Sequence, residues 1–105
     1  MNLQDLIAKA DEFEWDEGNT DKNWDSHRVR NEEAEEVFSN EPKLLSEDKK
    51  HSEKEPRYFC LGQTYKGRTM LVSFTLRRDH IRIISARDMS RKERKIYEKI
   101  IKTNS

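Results

Sequence analysis

Arginine is the side chain best shaped to hold a phosphate, because its planar fork offers parallel N–H donors to two oxygens at once. One stretch of this chain concentrates it: Arg57, Arg68, Arg77, Arg78, Arg82 and Arg87 all fall within RYFCLGQTYKGRTMLVSFTLRRDHIRIISAR. Hydroxyls lie at alternate positions beside two of them, so along a strand Thr75 points with Arg77 and Ser85 with Arg87. The three histidines, His27, His51 and His80, are the groups that titrate near neutral pH without help. Such a set can run phosphoryl transfer without a metal: guanidinium groups stabilise charge developing on phosphate oxygens, and a titratable group moves the proton. Arginine at strand ends also protects sheet edges, and that plainer use accounts for most of the six. Other site motifs are absent. There is no glycine-rich phosphate loop, no paired-cysteine metal spacing and no His-Glu-x-x-His helix. The single cysteine, Cys60, lies in an apolar run and reads as a core residue, so neither a disulfide framework nor a zinc site is expected.

These residues must be positioned by a sheet. The stretch contains three apolar runs of strand length, broken at Tyr65-Lys66-Gly67-Arg68 and at Arg78-Asp79. In the middle run Met70, Val72, Phe74 and Leu76 alternate with Thr69, Leu71, Ser73 and Thr75, the period of a strand with one better-buried face. The flanking runs are apolar at successive positions (Phe59, Cys60, Leu61; Ile83, Ile84), as strands covered on both faces would be. Breaks this short permit only antiparallel neighbours, so a three-stranded meander is expected.

Helices should flank it. Leu3, Leu6, Ile7 and Ala10 share one face of a helix over residues 2–12, with Asn2 as cap. An extended piece, Phe13-Glu14-Trp15-Asp16, follows, then a polar helix over residues 19–27. Trp15 is either a base-stacking platform or core, and core is favoured. Asn31 caps a helix running to Phe38 with acids in its first turn. Pro42 ends that region, Lys43–Leu45 begins another strand, and residues 46–56 hold only polar or charged side chains and Pro56, as a solvated loop or hairpin tip does. Ser90-Arg91-Lys92-Glu93 is a capping box opening a last helix, whose Ile96, Tyr97, Ile100 and Ile101 stripe should seal one sheet face. The fold class is therefore α+β: a small antiparallel sheet, the meander plus one or two extra strands, with N-terminal helices and a C-terminal helix.

The chain has 105 residues, 32% hydrophobic and 40% charged, which suits one domain with a small core and a heavily ionised surface. Two Trp, three Tyr and four Phe argue against disorder. No long apolar run or signal-like start is present, so a cytoplasmic protein without membrane contact is expected. The zero net charge conceals segregation: residues 1–56 carry 17 Asp/Glu against 8 Lys/Arg, and residues 57–105 carry 4 against 13. Such asymmetry points to nucleic-acid contact by the basic part, or to mutual neutralisation of the halves within one fold.

Several motifs in order resemble one family. They run from Phe13-Glu14-Trp15-Asp16, through Asn23 with His27 and Val29, to Glu32-Glu33-Ala34 with Val37-Phe38. Asp48-x-x-His51-Ser52-x-x-Glu55-x-Arg57, Gly62, Gly67-Arg68 and Phe74-Thr75-x-Arg77 follow. Ile81-Arg82-Ile83-Ile84-Ser85-Ala86-Arg87 and Glu93-Arg94-x-x-Tyr97 complete the set. Over residues 13–97 the chain resembles the BrnT-type toxins, the ribonuclease component of bacterial toxin–antitoxin pairs, and residues 1–12 form an N-terminal helical extension of one domain spanning 1–105. Family members usually read Lys-His-Gly where this chain has Ser26-His27-Arg28, so a phosphate-facing cation and the favoured left-handed helix terminator are both replaced.

The resemblance implies a fold similar to the RelE-type ribonucleases, RNA as substrate, and a cognate antitoxin whose own domain binds DNA, so that DNA is contacted only indirectly. It implies metal-independent cleavage without a cofactor, in which the RNA's 2′-hydroxyl attacks the adjacent phosphate. Arg57, Arg77 and Arg87 are the candidate phosphate-binding catalytic residues, His27 or His51 the proton carrier, and Lys66, Arg68 and Arg82 further RNA-binding residues. The alternative is a catalytically weak member that acts mainly as a binding partner of its antitoxin.

Overall fold

The computed structural model describes residues 3–9, 12–15, 17–51, 54–78 and 80–104. Along these residues the chain forms α1 (Leu3–Lys9), β1 (Glu12–Glu14), α2 (Glu17–His27), α3 (Asn31–Ser39), β2 (Leu44–Glu47), β3 (Tyr58–Gln63), β4 (Thr69–Arg77), β5 (His80–Asp88) and α4 (Arg91–Asn104). A short 3-10 turn, Lys49–His51, lies between β2 and β3. The strands make one sheet in the order β1-β5-β4-β3-β2. The expected meander is β3–β4–β5, and β2 extends it antiparallel. β1 pairs with β5 in parallel, Phe13 opposite Ile81, so the sheet is mixed rather than wholly antiparallel. The long path through α2, α3 and the intervening strands makes that parallel return possible.

The register assigns every strand residue to a face. Met70, Val72 and Phe74 lie with Cys60, Tyr58, Ile83 and Ala86 against the N-terminal helices, where Ile7, Val29, Ala34, Val37 and Phe38 complete the main core. Cys60 is fully buried there, and its burial pushes the thiol pKa up to about 12, as expected of an inert core residue. Trp15 also packs on this core, and its Nε1 donates to Glu35 at 2.8 Å, so it is core rather than a stacking platform. Gly62 is required by close approach: a Cβ there would lie 2.9 Å from Val37 Cγ1 where α3 crosses β3. On the other face, Leu61 and Leu71 meet Tyr97 and Met89, with Leu44, Phe59 and Ile101 packed around them.

Several expectations need correction. β5 alternates in burial instead of being covered on both faces, because a bulge sets Ser73 against Ser85 but Phe74 against Ile83 and leaves Ile84 unpaired. Burial at successive positions does hold for β3 (Cys60–Gly62), as expected, and it also marks the start of β4 (Met70–Val72). The cap of α3 is Arg30, not Asn31: Glu33, three residues on, reaches back to the Arg30 amide at 3.1 Å. Ile96 stays exposed on α4 while Tyr97 takes the buried position. The stretch 46–56 is not all solvated loop, since Asp48 is only 8% exposed and its amide donates to the Arg57 carbonyl at 2.8 Å. The Ser90–Glu93 capping box is formed in both directions. Asn2, Ala10, Asp16, Ser52 and Asp79, invoked above as a cap, a helix face, motif members and half of the second break, lie outside the described residues.

Arg28 ends α2 at φ 54, in the left-handed region that glycine would occupy at lower cost, and its amide donates to the Trp24 carbonyl at 2.9 Å. A non-glycine residue there costs about 1–2 kcal/mol, offset by glycine's greater unfolded-state freedom of about 0.4–1 kcal/mol. Arg28→Gly should therefore raise the melting temperature by about 2–4 °C. A thermal melt checks this; a fall instead would mean that guanidinium packing on Trp24 outweighs the backbone strain.

Candidate functional site

α4 seals only one end of its sheet face. Beyond Leu61 and Leu71 the same face presents Phe59, Ser73, Ser85, Thr75, Arg82 and Arg77, with Arg57 two residues ahead of Phe59. The Thr75 end carries the cations. Arg82 is directly opposite Thr75 on β5, and Arg57 continues the β3 register to the other side of Thr75. Two strand spacings separate these arginines at the backbone, ~10 Å, within joint reach of one phosphate. Thr75 itself is buried, its hydroxyl donating to the Pro56 carbonyl at 2.6 Å, so it anchors the segment carrying Arg57. Arg77 lies two residues further along β4 and makes an ion pair with Glu55 at 3.2 Å.

His51 belongs to this end. It lines one depression of about 450 Å³ together with Lys50, Lys54, Glu55 and Arg57. Its Nδ1 is 2.9 Å from Asp48 Oδ2. A carboxylate only accepts, so the proton sits on Nδ1 and Nε2 is left as the basic nitrogen. The ring is exposed (57% of the side chain) while Asp48 is held inside, a fixed orienter for an accessible base. Asp48 was not singled out for this role from sequence, although its i, i+3 spacing to His51 was a usable signal.

The other site candidates are dispersed. Arg87 lies about four residues along and two strands across from Arg57, ~16 Å away, and its guanidinium grips Glu93 of α4 through Nη1 at 2.8 Å and Nη2 at 2.9 Å. That pairing raises the pKa of Arg87 and holds Glu93 below the usual carboxylate range. His27 ends α2 among the helices of the opposite layer, so the two candidate proton carriers are not brought together. Lys66 is exposed in the β3–β4 turn, where Gly67 supplies φ 92.

Arg68 corrects its assignment most clearly. Nε donates to Asp88 Oδ1 at 2.6 Å, Nη1 to the Arg28 carbonyl and Glu33 Oε2 at 3.0 Å each, and Nη2 to the His27 carbonyl at 2.9 Å and Asp88 Oδ2 at 3.2 Å. All five N–H donors are consumed, leaving none for RNA. Arg68 is a clamp joining the β3–β4 turn to the α2–α3 turn and the end of β5. Its hydrogen bond holds the Asp88 carboxyl below the usual range. Nearby, Asn23 is buried and accepts from the Ala86 amide at 3.2 Å, serving the edge of β5 beyond the reach of β1.

Residues 15–93 match the family model described as the ribonuclease toxin BrnT of type II toxin–antitoxin systems. The chain belongs to the BrnT family. It is accordingly a ribonuclease toxin, with RNA as the substrate class and an antitoxin as the partner that the family implies. No curated protein matches the sequence. Among solved structures it is similar to the ribonuclease toxin BrnT of Brucella abortus, with a TM-score of 0.55 and 17% identity over 76% of this chain and 97% of that one. That likeness is one of fold, the α+β arrangement described above. Among the described residues of this BrnT chain no helix is long and apolar enough to cross a membrane.

Proposed function

We propose that this BrnT chain cleaves single RNA strands at the Thr75 end of its open sheet face, without a metal, by attack of the RNA's own 2′-hydroxyl. The observation that carries the reading is His51, oriented by Asp48 and sharing one depression with Arg57. His51 Nε2 takes the proton from the 2′-hydroxyl, whose oxygen bonds to phosphorus. The bond from phosphorus to the 5′-oxygen breaks, and that oxygen takes a proton from solvent. A 2′,3′-cyclic phosphate and a 5′-hydroxyl are the products. Arg57 and Arg82 hold the phosphate oxygens, and the fork geometry suits the charge that grows on them. Arg77 adds positive potential from its place beside Glu55, while Arg87 braces α4 at the far end of the face.

In this reading the antitoxin silences the enzyme by covering the open face, contacts DNA through its own domain, and the pair acts in the bacterial cytoplasm. Residues 1–12 are an extension of the single domain, with Ile7 buried in the main core. Expression without an antitoxin should arrest growth, and both His51→Ala and Arg57→Lys should relieve the arrest at equal protein levels. Undiminished arrest in both variants would overturn the assignment of the site.

A further inference from the structure

The described large hydrophobic side chains left exposed include Trp24 (41%) and Tyr65 (65%), and both line one cleft of about 770 Å³ between α2, the α2–α3 turn and the β3–β4 turn. Exposed aromatic surface calls for a reason, and here it is interleaved with cations. The Arg28 guanidinium lies 5.3 Å and that of Arg30 5.9 Å from the Trp24 ring centroid. Lys66 stands beside Tyr65 on the opposite lip. Two of the lining carboxylates are already engaged: Glu36 accepts from the Tyr65 amide at 2.9 Å, and Glu33 from Arg68 at 3.0 Å and the Arg30 amide. Glu32 remains at the rim. Arg28, Arg30 and Lys66 form no ion pair with a described carboxylate.

Aromatic rings beside cations that no described carboxylate neutralises form the recognition pattern for single-stranded nucleic acid, in which bases stack and phosphates are neutralised. We propose that this cleft is a second RNA contact, where a base stacks on Trp24 or Tyr65 and Arg28, Arg30 and Lys66 hold adjacent phosphates. The proposal rests on the reading that RNA is cleaved at Arg57, and it adds that the substrate is a single strand reaching well past the scissile bond. The cleft opens at the Thr64 end of the β3–β4 hairpin, ~20 Å along β3 from Arg57. A dinucleotide occupying the cleavage site is too short to sense it.

The test compares a dinucleoside monophosphate with an unstructured dodecamer of RNA as substrates for the parent chain, Trp24→Ala, Trp24→Phe and Tyr65→Ala. For the dodecamer, Trp24→Ala should raise KM by roughly tenfold, the loss of one stacked base, with kcat unchanged. Dinucleotide cleavage and the melting temperature should match the parent, and Trp24→Phe should keep most of the affinity. Adding the dodecamer should also quench a component of the tryptophan fluorescence that Trp24→Phe lacks. An unchanged KM for the dodecamer in Trp24→Ala and Tyr65→Ala would overturn the proposal. So would a weakened complex with a co-expressed antitoxin at unchanged KM, which would assign the cleft to protein. If the parent cleaves neither substrate, the cleavage reading has failed, yet the quenching titration still decides whether the cleft binds RNA.

Discussion

Arg57→Lys should cut the rate of RNA cleavage by roughly 10²–10³, the usual cost of removing one donor that acts on transition-state charge, while RNA affinity and melting temperature stay near the parent values. Lysine keeps the charge but cannot copy the planar two-point grip on phosphate. The position allows a clean reading, because Arg57 precedes β3 at the lip of the His51 depression instead of lying in the core. Arg87→Lys should behave differently. Its fork holds Glu93 at two points, so lysine there should lower thermal stability together with activity. Single-turnover rates, RNA titration and thermal melts on the two variants separate the roles. A parent-like rate for Arg57→Lys would remove Arg57 from the chemistry. Equal losses of rate and affinity would reduce it to an electrostatic anchor.

Arg68→Met should be the most destabilising single change outside the core, by about 3 kcal/mol, because two carbonyls and the Glu33 carboxylate lose the three N–H groups that now satisfy them. Asp88 contributes less of this, since its side chain is 62% exposed and water screens it. For a domain of this length the melting temperature should drop by about 12–20 °C. Cleavage per folded molecule, measured well below the melt, should be nearly unchanged, since Arg68 holds no donor in reserve for RNA. The same clamp sets an acid limit. Asp88 and Glu93 both have lowered folded-state pKa values, through Arg68 and Arg87 respectively. Their contribution is fully present above the unfolded carboxylate values and is lost as the pH falls through them toward the lowered folded ones. Parent stability should therefore decline below about pH 4.5, and Arg68→Met should show a shallower decline because the Asp88 share is already gone. A melt of Arg68→Met within a few degrees of the parent would contradict the clamp.

The meander, its two turns, the C-terminal capping box and the buried Cys60 were legible because each follows from local rules: a period of two, a turn residue, an i, i+3 pair. The parallel β1 was not, since its partner β5 is separated by the whole intervening chain and three residues carry no period. The bulge at Ile84 was hidden for a different reason: nothing in a run of successive apolar residues marks the extra one, and it leaves Ile83 buried but Ile84 only partly so. Charge was read only coarsely. The halves do neutralise each other in part, through Arg68 with Glu33 and Arg77 with Glu55. Such long-range pairs decide which arginines spend their donors on the fold, as Arg68 does, and sequence spacing is silent about them. Arg68, the same letter as Arg57, comes out as a staple, whereas Arg57 lines the depression that holds His51 and is the proposed site residue. His51 and His27 part in the same way once Asp48 is seen beside only one of them.

The chemistry of the RNA ends tests the central claim most directly. A synthetic single-stranded oligoribonucleotide would be digested in excess EDTA and its fragments identified by mass spectrometry. The mechanism predicts 2′,3′-cyclic phosphate and 5′-hydroxyl ends, formed at the same rate with and without EDTA and absent when the nucleotide before the scissile bond is 2′-deoxy. His51→Ala should slow the reaction by roughly 10²–10⁴, the typical weight of a positioned proton carrier. Fragments with 5′-phosphate and 3′-hydroxyl ends, or cleavage of the 2′-deoxy substrate at the same bond, would contradict it.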